Sequence, residues 1–416
     1  MCYTNNYIFH SAQKGGAALH PSRSLRDFFK KGDVLLLGLC LLASTVGLVL
    51  IYSATRYDPD LHEYVQKQAM FICLGVVAYI IITFVDVEFL VEKWWKVFLA
   101  LGLLVILLIK PFGEAGDTGN RSWVYLPGLP FGFQPGEIAK LAYIVVLAWL
   151  LNHERPLGVS RFRSLVKYVL LTMVFAGLLA YLSGDYGMVL VYLMLFVIMA
   201  WVGGVQKRWF ILVGGGLVLL VVFLWIFVLP NTEWWTDYRI MRFRVVLDHT
   251  LDPTNVGYHQ NRSLLAIGAG GLTGMGFLKG TQTHSAESKL PARHTDFIFA
   301  VCGEEFGLIG CILVLLLLLA IILRCVWVSR RAKSHMSAYI AMGIAGMLMV
   351  QTLLNVGMCL YVTPVIGLTL PFISYGGSSI IATAVGMGIA VTFVMGLASA
   401  VCYVVDEFVL GRFGLD

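Results

Sequence analysis

The sequence predicts an all-α integral membrane protein. Of its 416 residues, 59% are hydrophobic and only 13% are charged, whereas soluble domains carry about 25% charged residues. The mean hydropathy is +0.82. Uncharged apolar runs of about 20 residues recur along the chain, and this is the length that a helix needs to cross a bilayer. Alternating segments of about 10 residues, which would indicate a membrane β-barrel, do not occur in the sequence.

About ten of these runs are candidate transmembrane helices. They lie near residues 34–55, 69–85, 90–110, 136–152, 165–183, 187–204, 209–229, 299–323, 336–360 and 377–403. Lysine and arginine cluster in the amino-terminal leader and after the fourth, sixth and eighth runs, at Lys14, Arg23, Arg26, Lys30, Lys31, Arg155, Arg161, Arg163, Lys167, Lys207, Arg208, Arg324, Arg330, Arg331 and Lys333. Because such residues mark the cytoplasmic side, both termini are predicted to be cytoplasmic.

This orientation divides the chain into three predicted parts. Residues 1–33 form a basic cytoplasmic leader, residues 34–404 form the membrane domain and residues 405–416 form a short cytoplasmic tail. One long loop, at about residues 230–297 between runs seven and eight, lies on the outer face. The net charge of +6 is spread over membrane-flanking clusters, which argues against a free nucleic-acid-binding protein. The composition also excludes a secreted disulfide scaffold and a disordered chain.

The long outer loop contains two distinctive stretches. In residues 233–249, Arg242 and Arg244 alternate with aromatic and apolar neighbours. This stretch is either an amphipathic segment along the membrane interface or a folded loop. Residues 267–276 are rich in glycine, which allows sharp bends or a close approach of the backbone to a ligand. The stretch lacks the ending of a P-loop, so nucleotide binding is not expected.

Ionisable residues at membrane depth are costly and suggest a function by default. Glu137 and Lys140 open the fourth run just after Pro135, and their spacing of three places them on one helix face. They form either a structural ion pair or a site in which Lys140 binds a phosphate or a sugar. The familiar motifs of soluble hydrolases, kinases and zinc enzymes do not occur in the sequence.

Two more charged residues lie at outer turns. Asp185 sits between two glycines at the tight turn after the fifth run, where it is either a helix cap or a functional carboxylate. Arg121 lies in the outer loop before the fourth run. It is either a solvated or headgroup-facing charge or a cation that binds substrate.

The strongest candidate for catalysis is Asp296. It lies where the long outer loop meets the eighth run, so its carboxylate can be partly desolvated and still reach material from the outer leaflet. This placement suits a general base. Glu304 and Glu305 lie about two turns deeper, where at least one should face the bundle interior and need a partner. They are predicted to be structural, through pairing with an arginine or a lysine.

The last loop, residues 363–379, contains Pro364, Pro371, Gly376 and Gly377, which forbid a continuous helix. Irregular backbone at membrane depth is tolerated only where it is buried in protein or lines a cavity. We therefore expect these four residues to shape a loop that lines a cavity.

Five stretches of the sequence together resemble the SEDS family of bacterial shape, elongation, division and sporulation proteins. They are RSW from Arg121, FQPGEIAKLA from Phe133, SGDYG from Ser183, LPARHTDFIFAVCGEEFG from Leu290 and PVIGLTLPFISYGGSS from Pro364. The resemblance runs from the first apolar run to the last and is closer to RodA-like than to FtsW-like members. The chain departs from the family where QPDxGT is replaced by residues 183–188 and where LPE is replaced by Leu290-Pro-Ala292.

The resemblance implies a peptidoglycan glycosyltransferase that polymerises lipid II on the outer face of the bacterial cytoplasmic membrane during cell elongation. It implies that Asp296 is the essential acidic residue, and it implies a class B penicillin-binding protein, a transpeptidase, as partner within the elongation or division machinery. Further candidate contacts with the substrate are Arg121, Glu137, Lys140, Asp185, His294, Thr295, Ser374, Ser378 and Ser379.

The chemistry needs positive charge as well as a base. A lipid-linked diphosphate leaves during the reaction, so cations or a metal must neutralise the charge that develops. Lys140 and Arg121 are the sequence candidates, and a divalent cation such as Mg²⁺ or Mn²⁺ is a possible cofactor. Three alternatives stay open: a transporter that flips lipid II, a division-specific polymerase and a non-catalytic scaffold for a transpeptidase.

Overall fold

The computed structural model describes residues 33–58, 61–114, 120–128, 132–232, 238–284 and 290–392. The predicted leader up to residue 32 and the predicted tail lie outside the described residues. The helices are α1 (Val34–Ala54), α2 (Leu61–Thr83), α3 (Val87–Leu107), α4 (Pro135–Glu154), α5 (Phe162–Ser183), α6 (Tyr186–Val202), α7 (Lys207–Val228), α8 (Tyr238–Leu247), α9 (Tyr258–Gly270), α10 (Ile298–Arg330), α11 (His335–Cys359) and α12 (Gly377–Thr392). A small antiparallel pair joins β1 (Gly113–Glu114) and β2 (Trp123–Val124).

The helical membrane architecture predicted from the sequence is confirmed. Within the described residues, eight helices are long and apolar enough to cross a membrane, and α6 and α12 are shorter apolar helices. The count of ten spans and the orientation of the termini stay predictions. Helix α2 begins at Leu61, earlier than the predicted start near residue 69. The prediction missed the first two turns because Glu63 and Lys67 lower their hydropathy.

Helices α4 and α11 form the centre of the bundle. In each of them, 72% of the apolar stretch is buried inside the protein, whereas the corresponding share for α7 is 0%. A buried ion pair lies on the α4 side of this centre: the Nζ of Lys140 donates to the Oε1 of Glu137 at 2.8 Å. The Nε2 of Gln351 on α11 donates to the same oxygen at 3.1 Å. The pair therefore helps to join the two central helices.

Helix α10 is interrupted at Gly307, whose φ of 66° and ψ of −163° are not helical. The glycine-rich stretch after α9 inserts its backbone into this break. The N–H groups of Met275 and Gly276 donate to the carbonyls of Glu304 and Glu305, at 2.9 and 3.0 Å. The glycine-rich stretch therefore packs closely against the backbone of α10.

Glycine is required at this junction because of the close approach. Gly274 has a φ of +83°, and a Cβ added there would lie 2.1 Å from the carbonyl oxygen of Glu305. On the other side of the break, the N–H groups of Leu308 and Ile309 donate to carbonyls of the inserted stretch, those of Gly271 and Leu272. The interruption thus leaves these backbone groups paired.

Glu304 and Glu305 are buried and structural, but their partners are not the predicted arginine or lysine. Glu304 accepts hydrogen bonds from the backbone N–H and the hydroxyl of Thr283, at 2.9 and 2.5 Å. Glu305 accepts from the hydroxyl of Ser53 on α1 at 2.5 Å and contacts the Nε2 of His284 at 2.8 Å. Glu304 accepts hydrogen bonds at both of its oxygens, and a carboxylate that accepts several hydrogen bonds can stay buried without a cation. The two residues tie the outer loop to α10 and α1.

The expected break in helix before the last run is confirmed. Helix α11 ends at Cys359, and irregular backbone containing Pro364 and Pro371 leads to α12. Side chains of α9 satisfy carbonyls at the end of α11 and in the loop that follows it. The Nε2 of Gln260 donates to the carbonyl of Thr363 at 2.8 Å, and the hydroxyl of Ser263 donates to that of Cys359 at 2.8 Å.

We predict that Lys140→Met strongly destabilises the protein, because it leaves the carboxylate of Glu137 buried without a cation. Breaking a buried pair costs about 3 to 5 kcal/mol. The double variant Glu137→Gln, Lys140→Met removes both charges and should recover most of this loss. Thermal unfolding of the purified protein in detergent measures the effect, and Lys110→Met, at an exposed lysine, is the control. Equal melting temperatures for the single and double variants would contradict the prediction.

Candidate functional site

A cavity of about 810 Å³ lies among α2, the outer loops and the last loop. Its wall is formed by Lys67, Phe71, Asn120, Ser122, Trp123, Tyr125, Gly132, Gln134, Asp185, Arg242, Val256, His259, Ala292, His294, Thr295, Asp296, Phe297, Val365, Ile366, Gly367, Thr369, Tyr375, Gly376 and Gly377. Pockets of a few hundred to about 1,000 Å³ enclose ligands of drug size. The cavity is therefore large enough for a sugar headgroup.

Asp296 lies on this wall, just before α10. The pKa of its carboxyl is raised to about 6, mainly by burial and also by the nearby carboxylate of Asp185, while the hydroxyl of Thr295 and the guanidinium of Arg242 oppose this rise. A carboxyl with a pKa near 6 is mostly ionised at pH 7 and is still basic enough to accept a proton. These properties suit a general base that faces the cavity.

Asp185 is both a helix cap and a residue of the cavity. Its Oδ1 accepts the N–H of Met188 at 3.0 Å, which caps α6. Its Oδ2 accepts from the hydroxyl of Ser122 at 3.1 Å and from the Nε2 of Gln134 at 3.2 Å. Burial raises the pKa of this carboxyl above its ordinary value. The structure thus confirms the helix cap, and a functional role for this carboxylate stays a prediction.

The backbone beside Asp296 is held from α11 and from the last loop. The Nδ2 of Asn355 donates to the carbonyl of Asp296 at 2.8 Å and to that of Leu368 at 2.6 Å. The hydroxyl of Ser374 donates to the carbonyl of Thr295 at 2.6 Å. These bonds join the segment of the base to the last loop, and they place three sequence-predicted residues, His294, Thr295 and Asp296, on the cavity.

Helix α2 completes this support through Gln68, a residue that sequence analysis missed. Its Nε2 donates to the carbonyl of Ser374 at 3.2 Å, and its Oε1 accepts the N–H of Gly376 at 3.3 Å. The imidazole of His294 packs against the ring of Tyr64, with 4.9 Å between ring centroids. Since the hydropathy pattern placed the helix start later, no sequence signal connected these residues with the site.

The family comparison agrees with this architecture. Residues 33–396 match the model of a protein family that groups FtsW, RodA and SpoVE and is described as "cell cycle protein". The chain belongs to this family, the SEDS proteins. It is a multi-pass protein of the bacterial cytoplasmic membrane.

Relatives of three kinds match this SEDS protein almost equally. It is 32% identical over 362 residues to a probable peptidoglycan glycosyltransferase FtsW of Geobacter metallireducens, covering 86% of this chain and 93% of the relative. It is 33% identical to the peptidoglycan glycosyltransferase MrdB of Escherichia coli, covering 85% and 91%. It is also 33% identical to the stage V sporulation protein E of Bacillus subtilis, covering 86% and 95%.

Solved structures have the same fold. A chain from a peptidoglycan synthase complex, whose structure concerns coordination of polymerization and crosslinking, matches with a TM-score of 0.73 and 30% identity, covering 88% of this chain and 98% of that one. The crystal structure of the rod shape determining protein RodA of Thermus thermophilus matches with a TM-score of 0.62 and 28% identity, covering 87% and 96%.

The three serines of the last loop form contacts between structural elements. Besides the bond of Ser374, the Oγ of Ser378 accepts the N–H of Gln134 at 3.1 Å, and the Oγ of Ser379 accepts the hydroxyl of Thr369 at 3.0 Å. None of the three is among the described residues of the cavity wall, whereas Gly376 and Gly377 are. The structure therefore shows a structural role for these serines, and their contact with a substrate stays a prediction.

The cations proposed from the sequence are not on the cavity wall either. The side chain of Lys140 is 0% exposed and paired with Glu137, and Arg121 is an exposed residue whose backbone N–H donates to Ser183. Among the described residues, the lysine and the arginine that line the cavity are Lys67 and Arg242. The alternation of charged and aromatic residues around Arg242 left open an interface segment or a folded loop and gave no signal for a cavity.

The described residues do not provide a metal site of their own. They contain no group of three or more His, Cys, Asp or Glu residues that could hold a metal ion. Of the two carboxylates on the cavity wall, that of Asp185 already accepts hydrogen bonds at both oxygens. Mg²⁺ or Mn²⁺ bound here would need substrate phosphates to complete its coordination, and a divalent cation stays a prediction.

We predict that Asn355→Leu loosens the segment that carries Asp296. The carbonyls of Asp296 and Leu368 would lose a buried donor, at a cost of about 1 to 3 kcal/mol each. Hydrogen exchange should accelerate in residues 363–376. Thr352→Val, one turn earlier on α11, is the matched control because its hydroxyl has no hydrogen-bond partner in the described part of the chain. Unchanged exchange in Asn355→Leu would show that these bonds do not hold the loop.

Proposed function

We propose that this SEDS protein is a peptidoglycan glycosyltransferase that polymerises lipid II on the outer face of the cytoplasmic membrane. The observation that carries the proposal is the carboxylate of Asp296, which faces a cavity of about 810 Å³ and has a pKa of about 6. Relatives of similar length that are named as peptidoglycan glycosyltransferases support it.

The proposed reaction is a single inverting displacement. An oxygen of an acceptor sugar hydroxyl attacks the anomeric carbon of the donor sugar, and Asp296 takes the proton of that hydroxyl. The bond from the anomeric carbon to the phosphate oxygen breaks, and its electron pair leaves with the lipid-linked diphosphate. Because the linkage changes from α to β in one step, a second, nucleophilic carboxylate is not needed.

The physiological role belongs to the same proposal. We assign the protein to cell elongation, with a class B penicillin-binding protein as its partner. A structural neighbour that comes from a complex of polymerization and crosslinking supports a transpeptidase partner. Division and sporulation relatives are about as similar as the elongation relative, so complementation of strains that each lack one of these functions tests the assignment.

We predict that Asp296→Asn and Asp296→Ala lower polymerisation of purified lipid II by at least about 100-fold, because a general base contributes about 10² to 10⁴ to the rate. The assay is run with and without the cognate transpeptidase, at equal amounts of folded protein. Asp248→Asn is the matched control, since Asp248 is exposed and lies in the outer loop away from the cavity wall.

Two results would contradict the proposal. One is a wild-type protein that makes no glycan strands even with its partner and a divalent cation. The other is a near-normal rate in both Asp296 variants. Either result would move the test to lipid flipping in vesicles, since a transporter needs no proton acceptor on the product side.

We also predict an acid limb in the pH profile. A base must be ionised to accept a proton, so the rate should fall as the pH drops through about 6, the pKa of Asp296. The negative charge of Asp185 raises this pKa, so Asp185→Asn should lower it and move the limb to lower pH. Initial rates at constant ionic strength measure the shift. A limb that stays in place would contradict the coupling between the two carboxylates.

A further inference from the structure

Arg242 is fixed beside the base by the last loop. Its Nη1 donates to the carbonyl of Val365 at 3.1 Å. Two residues later, a Cβ added at Gly367 would lie 3.7 Å from the Oδ2 of Asp296. Residues 365–367, Arg242 and Asp296 all lie on the same cavity wall. One short loop therefore holds the guanidinium and passes close to the carboxylate.

The proposed reaction creates negative charge that needs a partner. When the bond between the anomeric carbon and the phosphate oxygen breaks, the diphosphate gains one negative charge. Inside a protein, where the effective dielectric constant is lower than in bulk water, a positioned cation stabilises such charge much more than it would in water. A planar guanidinium can also form two parallel hydrogen bonds to phosphate oxygens.

Lys67, the other cation of the cavity wall, is less suited to this task. It forms an ion pair with Glu63 one turn earlier on α2, and its side chain is 37% exposed. The imidazole of His259 also lies on the wall, but burial and the nearby Arg242 lower its pKa, so it is neutral at pH 7. Arg242 is therefore the cation that is both fixed by the wall and next to the base.

We propose that Arg242 binds the diphosphate of the lipid-linked sugar donor and neutralises it as it leaves. This assignment rests on the proposed glycosyltransferase function and adds a subsite to it. It transfers to Arg242 the task that the sequence suggested for Lys140 and Arg121.

The test is a binding experiment with purified full-length protein in detergent. The probes are farnesyl diphosphate and farnesyl monophosphate, and the variants are Arg242→Gln, Arg242→Lys and Arg244→Gln. Arg244 lies on the same helix but is not part of the cavity wall. The wild type and Arg244→Gln should prefer the diphosphate. Arg242→Gln should bind the diphosphate at least about 10-fold more weakly with little change for the monophosphate, and Arg242→Lys should recover part of this loss.

A second arm separates the donor diphosphate from bulk anionic lipid. The same proteins are placed in nanodiscs with and without phosphatidylglycerol, and binding of farnesyl diphosphate is measured again. The proposal is supported if the loss in Arg242→Gln persists in both nanodiscs. It is overturned if the wild type shows no preference for the diphosphate, or if phosphatidylglycerol abolishes the difference between the wild type and Arg242→Gln.

The pH profile is an additional readout that a purely structural role would not move. The charged groups that act on Asp296 are the carboxylate of Asp185, from the turn between α5 and α6, and the guanidinium of Arg242, from α8; the imidazoles of His259 and His294 share the wall. Arg242 lowers the pKa of Asp296, so Arg242→Gln should move the acid limb to higher pH.

The two proposals can fail separately. If the wild type binds the diphosphate through Arg242 but makes no glycan strands, the proposed function fails. If the wild type polymerises lipid II while Arg242→Gln keeps its affinity for farnesyl diphosphate and its acid limb, the assignment of Arg242 alone fails. The inactive Asp296→Asn variant should still bind the diphosphate, which separates binding from catalysis.

Discussion

The structure depends on one constraint, which is that the hydrocarbon layer offers no water to pair with backbone polar groups. Helices meet this constraint internally, but the break in α10 and the loop before α12 do not. In both places the protein supplies the missing partners. The glycine-rich stretch pairs with the backbone on both sides of Gly307, and Asn355 donates to the carbonyls of Asp296 and Leu368. These hydrogen bonds therefore hold the irregular backbone of both segments in place.

This rigidity is what prepares the candidate site for chemistry. A base has to be held within a fraction of an ångström of its working position, and loops are usually the less precise places to hold one. Here the segment of Asp296 is attached to the last loop through Ser374, and that loop is attached to α2 through Gln68. The same loop holds Arg242 through Val365. The same hydrogen bonds therefore satisfy backbone groups and position the reacting groups.

Much of the fold could be predicted from the sequence, because apolar runs and helix-breaking residues act locally. The apolar stretches, the cap at Asp185 and the break at Pro364 and Pro371 were visible in this way. The early start of α2 was not visible, since its first turns carry charged residues whose burial or exposure depends on neighbouring helices. The pair of Glu137 and Lys140 shows the same limit. Its spacing indicated contact, but only packing against Gln351 decided that it lies in the core.

For the site, the sequence alone determined the family, the carboxylate Asp296 and its place at the junction of the outer loop and α10. These features depend on residue type and order along the chain. The tertiary structure decided which groups share the cavity with Asp296: Asp185 beside it, and Lys67 and Arg242 in place of Lys140 and Arg121. The reason is physical. Charges act through distance and burial, and in this chain both are set by segments that are more than 50 residues apart and meet only when the bundle has formed.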